Sequence, residues 1–186
     1  MEIAKFIRMD EGTVEDYEIV GRAAREHEAE HLVNNIIANL KQLQGPMLGY
    51  QIDRFEHSLQ TATRAERDGA DEEMIVCALL HDIGDVVAPK NHSQMAASVL
   101  RPYVSEKNYW IVLHHGLFQG YYYYDKIGLD PNVRDRLRGH EYFEACEYFC
   151  EHWDQMSFDP DYKSYPLEHF VPMIKKVFTQ NPNTFD

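Results

Sequence analysis

The segment CALLHDIGD, residues 77–85, sets an imidazole and a carboxylate side by side at the end of an apolar run. Cys77 to Leu80 are residue types that go to a core. A carboxylate buried there beside an imidazole costs several kcal/mol unless something compensates it. A divalent or trivalent cation is one compensation. A helix terminus capped by hydrogen bonds is the other. The dipeptide alone leaves both open, so the rest of the chain has to decide.

The apolar residues recur at helical spacing. Glu15–Gln44 reads as a long helix with a broken stripe of Ile19, Ala23, Leu32, Ile36, Ile37, Leu40 and Leu43, stopped by Gly45-Pro46. Asp53–Asp68 reads as a second helix, stopped by Gly69. A third runs from Asp71 to His81, with Gly84 as its C-terminal glycine. His92–Leu100 and Glu106–His115 follow, the latter capped by Ser105, with Gly116 and Gly120 bracketing a turn. Tyr121–Ile127 and Pro131–Arg138 read as short helices. His140–Met156 reads as a long aromatic helix, 158–165 as an irregular loop, and Pro166–Thr179 as a last amphipathic helix. No segment alternates with period two, so the expected fold class is all-α. The ends, about 1–12 and 180–186, are expected to be loose.

On these helices the His-Asp pair has company. His57 lies on the preceding helix, and antiparallel packing across Gly69 brings it beside His81. His92 opens one helix and His115 ends the next. Asp154 follows Trp153 in an apolar setting. Four His and two Asp from five helices form a donor set for two hard or borderline ions, with Asp82 placed to bridge them. His140 and His169, each alone, read as ordinary structural residues.

That ordered series resembles the HD-domain superfamily, and within it the small mixed-valent di-iron oxygenases: the phosphonate-cleaving HD-domain enzymes and, more distantly, myo-inositol oxygenase. The strings FEHSLQTATRAERDGADEEMIVCALLHDIG, HSQMAASVLRPYVSEK, HWDQ and YPLEHFVPMIKK carry the resemblance, over roughly Tyr50–Phe178. It implies an HD-domain helical bundle, with 1–186 as one domain and 1–49 as a helical extension outside the resemblance. It implies two iron ions as Fe(II)/Fe(III), although a His/Asp set also accepts Mn or Zn. One ion takes His57, His81, Asp82 and Asp154. The other takes His92 and His115, with Asp82 shared. His115 is preferred to His114 because the spacing after LRPYVSEK fits it better. No catalytic residue beyond the metal ligands is implied. The implied chemistry uses O2 to oxidise a carbon bearing a hydroxyl and break an adjacent C–C or C–P bond.

Where the phosphonate-cleaving enzymes place basic side chains against their anionic substrate, this sequence has Asp85, Gln119 and Glu151. Where they carry a Tyr-x-x-Glu lid, it has Met47 and Tyr50. A phosphonate dianion facing Asp85 and Glu151 is repelled. Carboxylates plus Tyr50 and Tyr121–Tyr124 suit an amino alcohol or a hydroxylated quaternary amine instead. The Tyr run is also compatible with plain packing. Asp85, Gln119, Glu151 and Tyr50 are thus the expected substrate contacts. The rival reading is a metal-dependent HD-domain phosphohydrolase acting on a nucleotide or phosphate ester, with Arg54, Lys90 or Arg101 reaching the metals. A metal-binding sensor without turnover is a third.

The net charge of −13 argues against nucleic acid and anionic membranes as partners, which leaves a small-molecule substrate and O2. The segment MEIAKFIRMDEG lacks a signal-peptide core, and no run of about 18 apolar residues is present. Three Cys suit buried thiols in a reducing cytoplasm. The oligomeric state is left open.

Overall fold

In a computed structural model of the chain, which describes residues 2–183, every regular element is helical and no strand occurs among the described residues. Seven α-helices form: α1 (Val14–Lys41), α2 (Arg54–Arg67), α3 (Glu72–Leu80), α4 (His92–Leu100), α5 (Glu106–Gln119), α6 (Phe143–Phe149) and α7 (Leu167–Phe178). Short 3-10 turns join them. The chain divides into two compact units, Met1–Ala38 and Asn39–Asp186.

In the first unit, Asp16 accepts from the backbone N–H of Lys5 and of Thr13, and the Tyr17 hydroxyl donates to the Met9 carbonyl. Of the expected apolar stripe, only Ile36, Leu40 and, just past the helix end, Leu43 are buried, while Ile19, Ala23, Leu32 and Ile37 stay partly exposed. The helix stops three residues before the expected Gln44. Its end tightens into i→i+3 bonds from Gln42, Leu43 and Gln44, which use up the last carbonyls before Gly45.

The second unit is built on α3. Met74 through Leu80 are all buried, as befits a helix that is apolar on every side, and it packs against α2, α5 and α7. Asp71 caps it by accepting from Met74 N–H at 2.8 Å. Asp53 and Ser105 cap α2 and α5 in the same way. The buried face of α2 is rich in polar residues. Ser58, Thr61 and Thr63 are satisfied by donating to the carbonyls of Arg54, His57 and Leu59, four residues back. Gln60 donates to Asp159 O at 2.7 Å and accepts from Asp159 N–H at 3.3 Å, which docks the 157–160 loop onto α2.

Several expectations are corrected. Gly84 is not a helix C-terminal glycine, since its φ is not positive and α3 ends at Leu80. The position is small because a Cβ there would lie 2.5 Å from His92 O and 2.8 Å from His92 Cα. Gly116 sits inside α5, which runs on to Gln119, and a Cβ on it would meet Ser93 Oγ at 2.7 Å. The aromatic helix begins at Phe143, because Gly139 at φ +103° turns the chain and His140 stacks on Trp110 with centroids 4.3 Å apart. It changes at Cys150 into a π-helical turn, Cys150–Asp154, closed by Gln155 N–H to Cys150 O. The C-terminal end is tied down as far as described: Asn183 donates to the carbonyls of Pro102 and Val104. Met1 and residues 184–186 lie outside the described residues.

Gly84→Ala is expected to cost about 1–3 kcal/mol, since backbone rather than a flexible side chain stands in the way. Thermal unfolding checks this; an unchanged melting temperature would mean that α4 is not held against the 81–87 turn.

Candidate metal centre

The cluster is assembled by helix ends. The turn that follows α3 delivers His81 and Asp82, the first residue of α4 is His92, and the first turn of α2 delivers His57. His115 points inward from α5, and the π turn brings Asp154 round to the same point. His57, His81, Asp82, His115 and Asp154 are all at most 2% exposed. His92 is the exception, with a quarter of its side chain exposed. His114 faces the other way, half-buried against Trp110 with centroids 4.4 Å apart.

Three of the four imidazoles have Nδ1 held by a backbone carbonyl at 2.7–2.8 Å, while His92 Nδ1 meets Pro89 O at 3.3 Å. The Nδ1–H of His57 donates to Ser157 O at 2.8 Å, that of His81 to Ala78 O at 2.7 Å and that of His115 to Val112 O at 2.7 Å. A carbonyl only accepts, so Nδ1 carries the proton and each Nε2 turns a lone pair toward the centre. His57 Nε2 and His81 Nε2 are 3.1 Å apart. Two lone pairs at that distance repel unless a cation or a proton lies between them.

The carboxylates complete the arrangement. Asp82 Oδ2 lies 3.4 Å from His57 Nε2 and 3.3 Å from His81 Nε2. Its Oδ1 lies 3.4 Å from His92 Nε2 and 3.3 Å from His115 Nε2. Asp154 Oδ1 is 3.2 Å from His57 Nε2 and 3.6 Å from His81 Nε2, and Asp154 Oδ2 is buried with no partner. Ligands about 2.1 Å from one ion lie roughly 3.0 Å apart in an octahedron and roughly 3.4 Å apart in a tetrahedron. The donor spacings match those edges. His57, His81 and Asp154 form one group able to hold an ion; His81, Asp82 and His115 a second; Asp82, Asp85 and His92 a third.

Ionisation follows from the same geometry. Burial opposes charge on His81, but the Asp82 and Asp154 carboxylates outweigh it and raise the imidazole to about 10. Burial likewise opposes the charge of Asp82, yet Arg54, His81 and the surrounding imidazoles hold it well below the usual carboxylate range. Asp154 is lowered too, by His81 and His57 against its own burial. His115 is lowered, mainly by burial. A proton on His81 Nε2 therefore does what a metal ion would do, and the two compete.

Beside the cluster opens a cavity of about 410 Å³ lined by Tyr50, Arg54, Gln119, Tyr122, Tyr123 and Phe158 together with several cluster residues. Of the expected substrate contacts, Tyr50 and Gln119 line it and two do not. Glu151 is exposed, because the chain is already in the wider π turn there and three residues before Asp154 is no longer the same face. Asp85 is turned to Arg54 and His92 instead. Of the three basic residues considered, Arg54 lines the cavity, while Lys90 and Arg101 do not. Arg54 stands one helical turn before His57, so helical spacing alone could have placed it. Phe158, stacked on His57 at 4.4 Å and on Tyr50 at 5.1 Å, comes from the irregular loop and had no such signal.

The HD domain family model matches residues 54–151, more than half of the chain. This chain belongs to the HD-domain family. Five of the six clustered residues fall inside the match, and Asp154 lies just beyond it. HD-domain proteins are mostly metal-dependent enzymes, and this one has His/Asp groups able to hold metal. It is also 40% identical over 67 residues to [1-hydroxy-2-(trimethylamino)ethyl]phosphonate dioxygenase (glycine-betaine-forming) of Leisingera caerulea. That match covers 30% of this chain and 34% of the relative, so the chain spans about a third of that protein. No helix among the described residues of this HD-domain chain is long and apolar enough to cross a membrane.

The pH dependence of metal-free protein follows. His81 is raised, so its contribution to stability is full below about 6.5 and is lost as pH rises toward about 10. Asp82 and Asp154 are lowered, so theirs is full above about 3.8 and lost in acid. Chelator-treated protein should melt at progressively lower temperature between pH 6.5 and 10, and added divalent metal should remove that decline. A flat alkaline limb without metal would contradict the assignment.

Proposed function

We propose that this chain is a dinuclear, iron-dependent HD-domain oxygenase that uses O2 to oxidise and cleave a small hydroxylated substrate, an amino alcohol or a hydroxylated quaternary amine. The observation that carries the reading is the division of Asp82, whose two oxygens each face a different pair of imidazoles. In this reading His57, His81 and Asp154 would hold one ion and His92 and His115 the other, with Asp82 between them. Bound there, the ions supply Lewis acidity toward a substrate hydroxyl and the redox capacity to use O2.

The chain's own residues then bind and orient. Tyr50, Tyr122, Tyr123 and Phe158 offer aromatic faces to an ammonium group. Gln119 donates from Nε2 to Asp154 Oδ1 at 3.2 Å, and since an ionised carboxylate only accepts, the amide orientation is settled. Its Oε1 is buried without a protein partner, and a substrate hydroxyl is a natural donor to it. Arg54 is the basic residue of the cavity wall, but Asp82 and Asp85 already neutralise it, so it is a poor grip for a phosphonate dianion. The relative's named substrate carries a hydroxyl, a trimethylammonium and a phosphonate. The first two are the groups this cavity suits.

Arg54 also keeps one competitor in play, a phosphohydrolase in which it would meet a phosphate. Iron-loaded protein offered hydroxylated quaternary amines and amino alcohols, with and without a phosphonate, should consume O2 with members of the panel lacking phosphonate. His57→Ala and Asp82→Ala should lose metal and that activity together. Absence of O2 uptake, with hydrolysis of p-nitrophenyl phosphate in Mn²⁺, would replace the oxygenase with the hydrolase.

A further inference from the structure

The four clustered imidazoles are not held alike. His57, His81 and His115 are buried and each donates Nδ1–H to a backbone carbonyl at 2.7–2.8 Å. His92 opens α4, where Asn91 provides no side-chain cap, and its nearest carbonyl, Pro89 O, is 3.3 Å from Nδ1. That bond is long for N–H···O. The second partner of His92 Nδ1 is Asp85 Oδ1 at 3.2 Å. Asp85 Oδ2 accepts from Arg54 Nε at 2.8 Å, and Arg54 Nη2 reaches across to Asp82 Oδ2. The contacts close a ring: Asp82 Oδ1 to His92, His92 to Asp85, Asp85 to Arg54, and Arg54 back to Asp82 Oδ2.

We propose that Asp85 and Arg54 form a side-chain clamp that orients His92 and so governs how tightly the second metal position, that of His92 and His115, keeps its ion. The proposal rests on the two-ion reading above but not on the identity of the metal or on the reaction.

The physical argument is one of anchoring. A backbone carbonyl moves only if the chain moves, so three of the imidazoles are preorganised by the fold. Beyond its long bond to Pro89 O, His92 has the Asp85 carboxylate as side-chain support, with Oδ1 3.2 Å from Nδ1. Arg54 holds Asp85 in place, since Asp85 is about one-fifth exposed and would otherwise turn to water. Arg54 is in turn pinned by burial and by Asp82, and the two carboxylates keep it firmly protonated. An outer partner of a metal-bound imidazole is typically worth about 10–100-fold in metal affinity. Asp85 is therefore a positioning residue, which explains its absence from the cavity wall. It also makes the His92 position the one that exchanges metal first, as the quarter-exposed corner of an otherwise closed cluster.

The test compares wild type with Asp85→Ala and Asp85→Asn, each loaded with Zn²⁺ or iron, in a chelator competition that follows release of each ion. Wild type should release its ions in two phases. Asp85→Ala should speed the faster phase by about 10-fold or more and leave the slower one unchanged. Asp85→Asn, which still accepts from Nδ1–H, should fall between them. In metal-free protein, ¹H–¹⁵N spectra of the His92 ring should show Nδ1 protonated in wild type and mixed tautomers in Asp85→Ala. Release in both phases altered equally, or not at all, would overturn the clamp, as would an unchanged His92 tautomer. Two metals with no O2 use would sink the oxygenase and leave the clamp standing.

Discussion

The Asp82 carboxylate is the buried anion around which the helices of the second unit converge. It is buried, it stays ionised, and its two oxygens divide four imidazoles into two pairs. A carboxylate in that position is tolerable only if positive charge and hydrogen-bond donors compensate its burial. Arg54 supplies one such charge and His81, when protonated, another. The convergence of α2, α3, α4, α5 and the π turn on one point makes physical sense as the arrangement that brings donors to that anion.

The packing serves the same end. α3 is apolar on all sides so that its C-terminal end can lie in the interior, and α2 satisfies its buried hydroxyls internally so that His57 can face α3 without strain. Gly84 lets the backbone of α4 approach closely enough for His92 to reach Asp82. The loop after Asp154 is sewn to α2 through Gln60, and it thereby presents both the Ser157 carbonyl that fixes His57 and the Phe158 ring that covers it.

Much of this was legible in the residues. Asp53, Asp71 and Ser105 announce helix starts through short-range hydrogen bonds, which spacing alone encodes. The His-Asp pair and the helical period likewise place His57, His92 and His115 near one another. What stayed hidden depends on geometry finer than the period. Nothing in CEHWD marks a π turn, and that turn moved Glu151 to the surface while keeping Asp154 inside. Gly84 has the right position for a C-terminal glycine and a different reason for being there. By its chemistry Asp85 reads as a substrate contact, but its closest neighbours are set by tertiary packing with α2 and α4, which no local pattern shows. The aromatic wall is half visible in the sequence: the Tyr run and Tyr50 stand out, but Phe158 sits in a loop without periodicity.

The proposed function requires that Asp82 lie between two redox-active ions. Mössbauer and EPR spectra of protein produced with iron supplied, together with its metal content, test it most directly. A dinuclear iron centre gives two irons per chain and, after partial reduction, the signal of a coupled Fe(II)/Fe(III) pair. A single uncoupled iron, or a full complement of Mn, Mg or Zn with iron excluded, would contradict it.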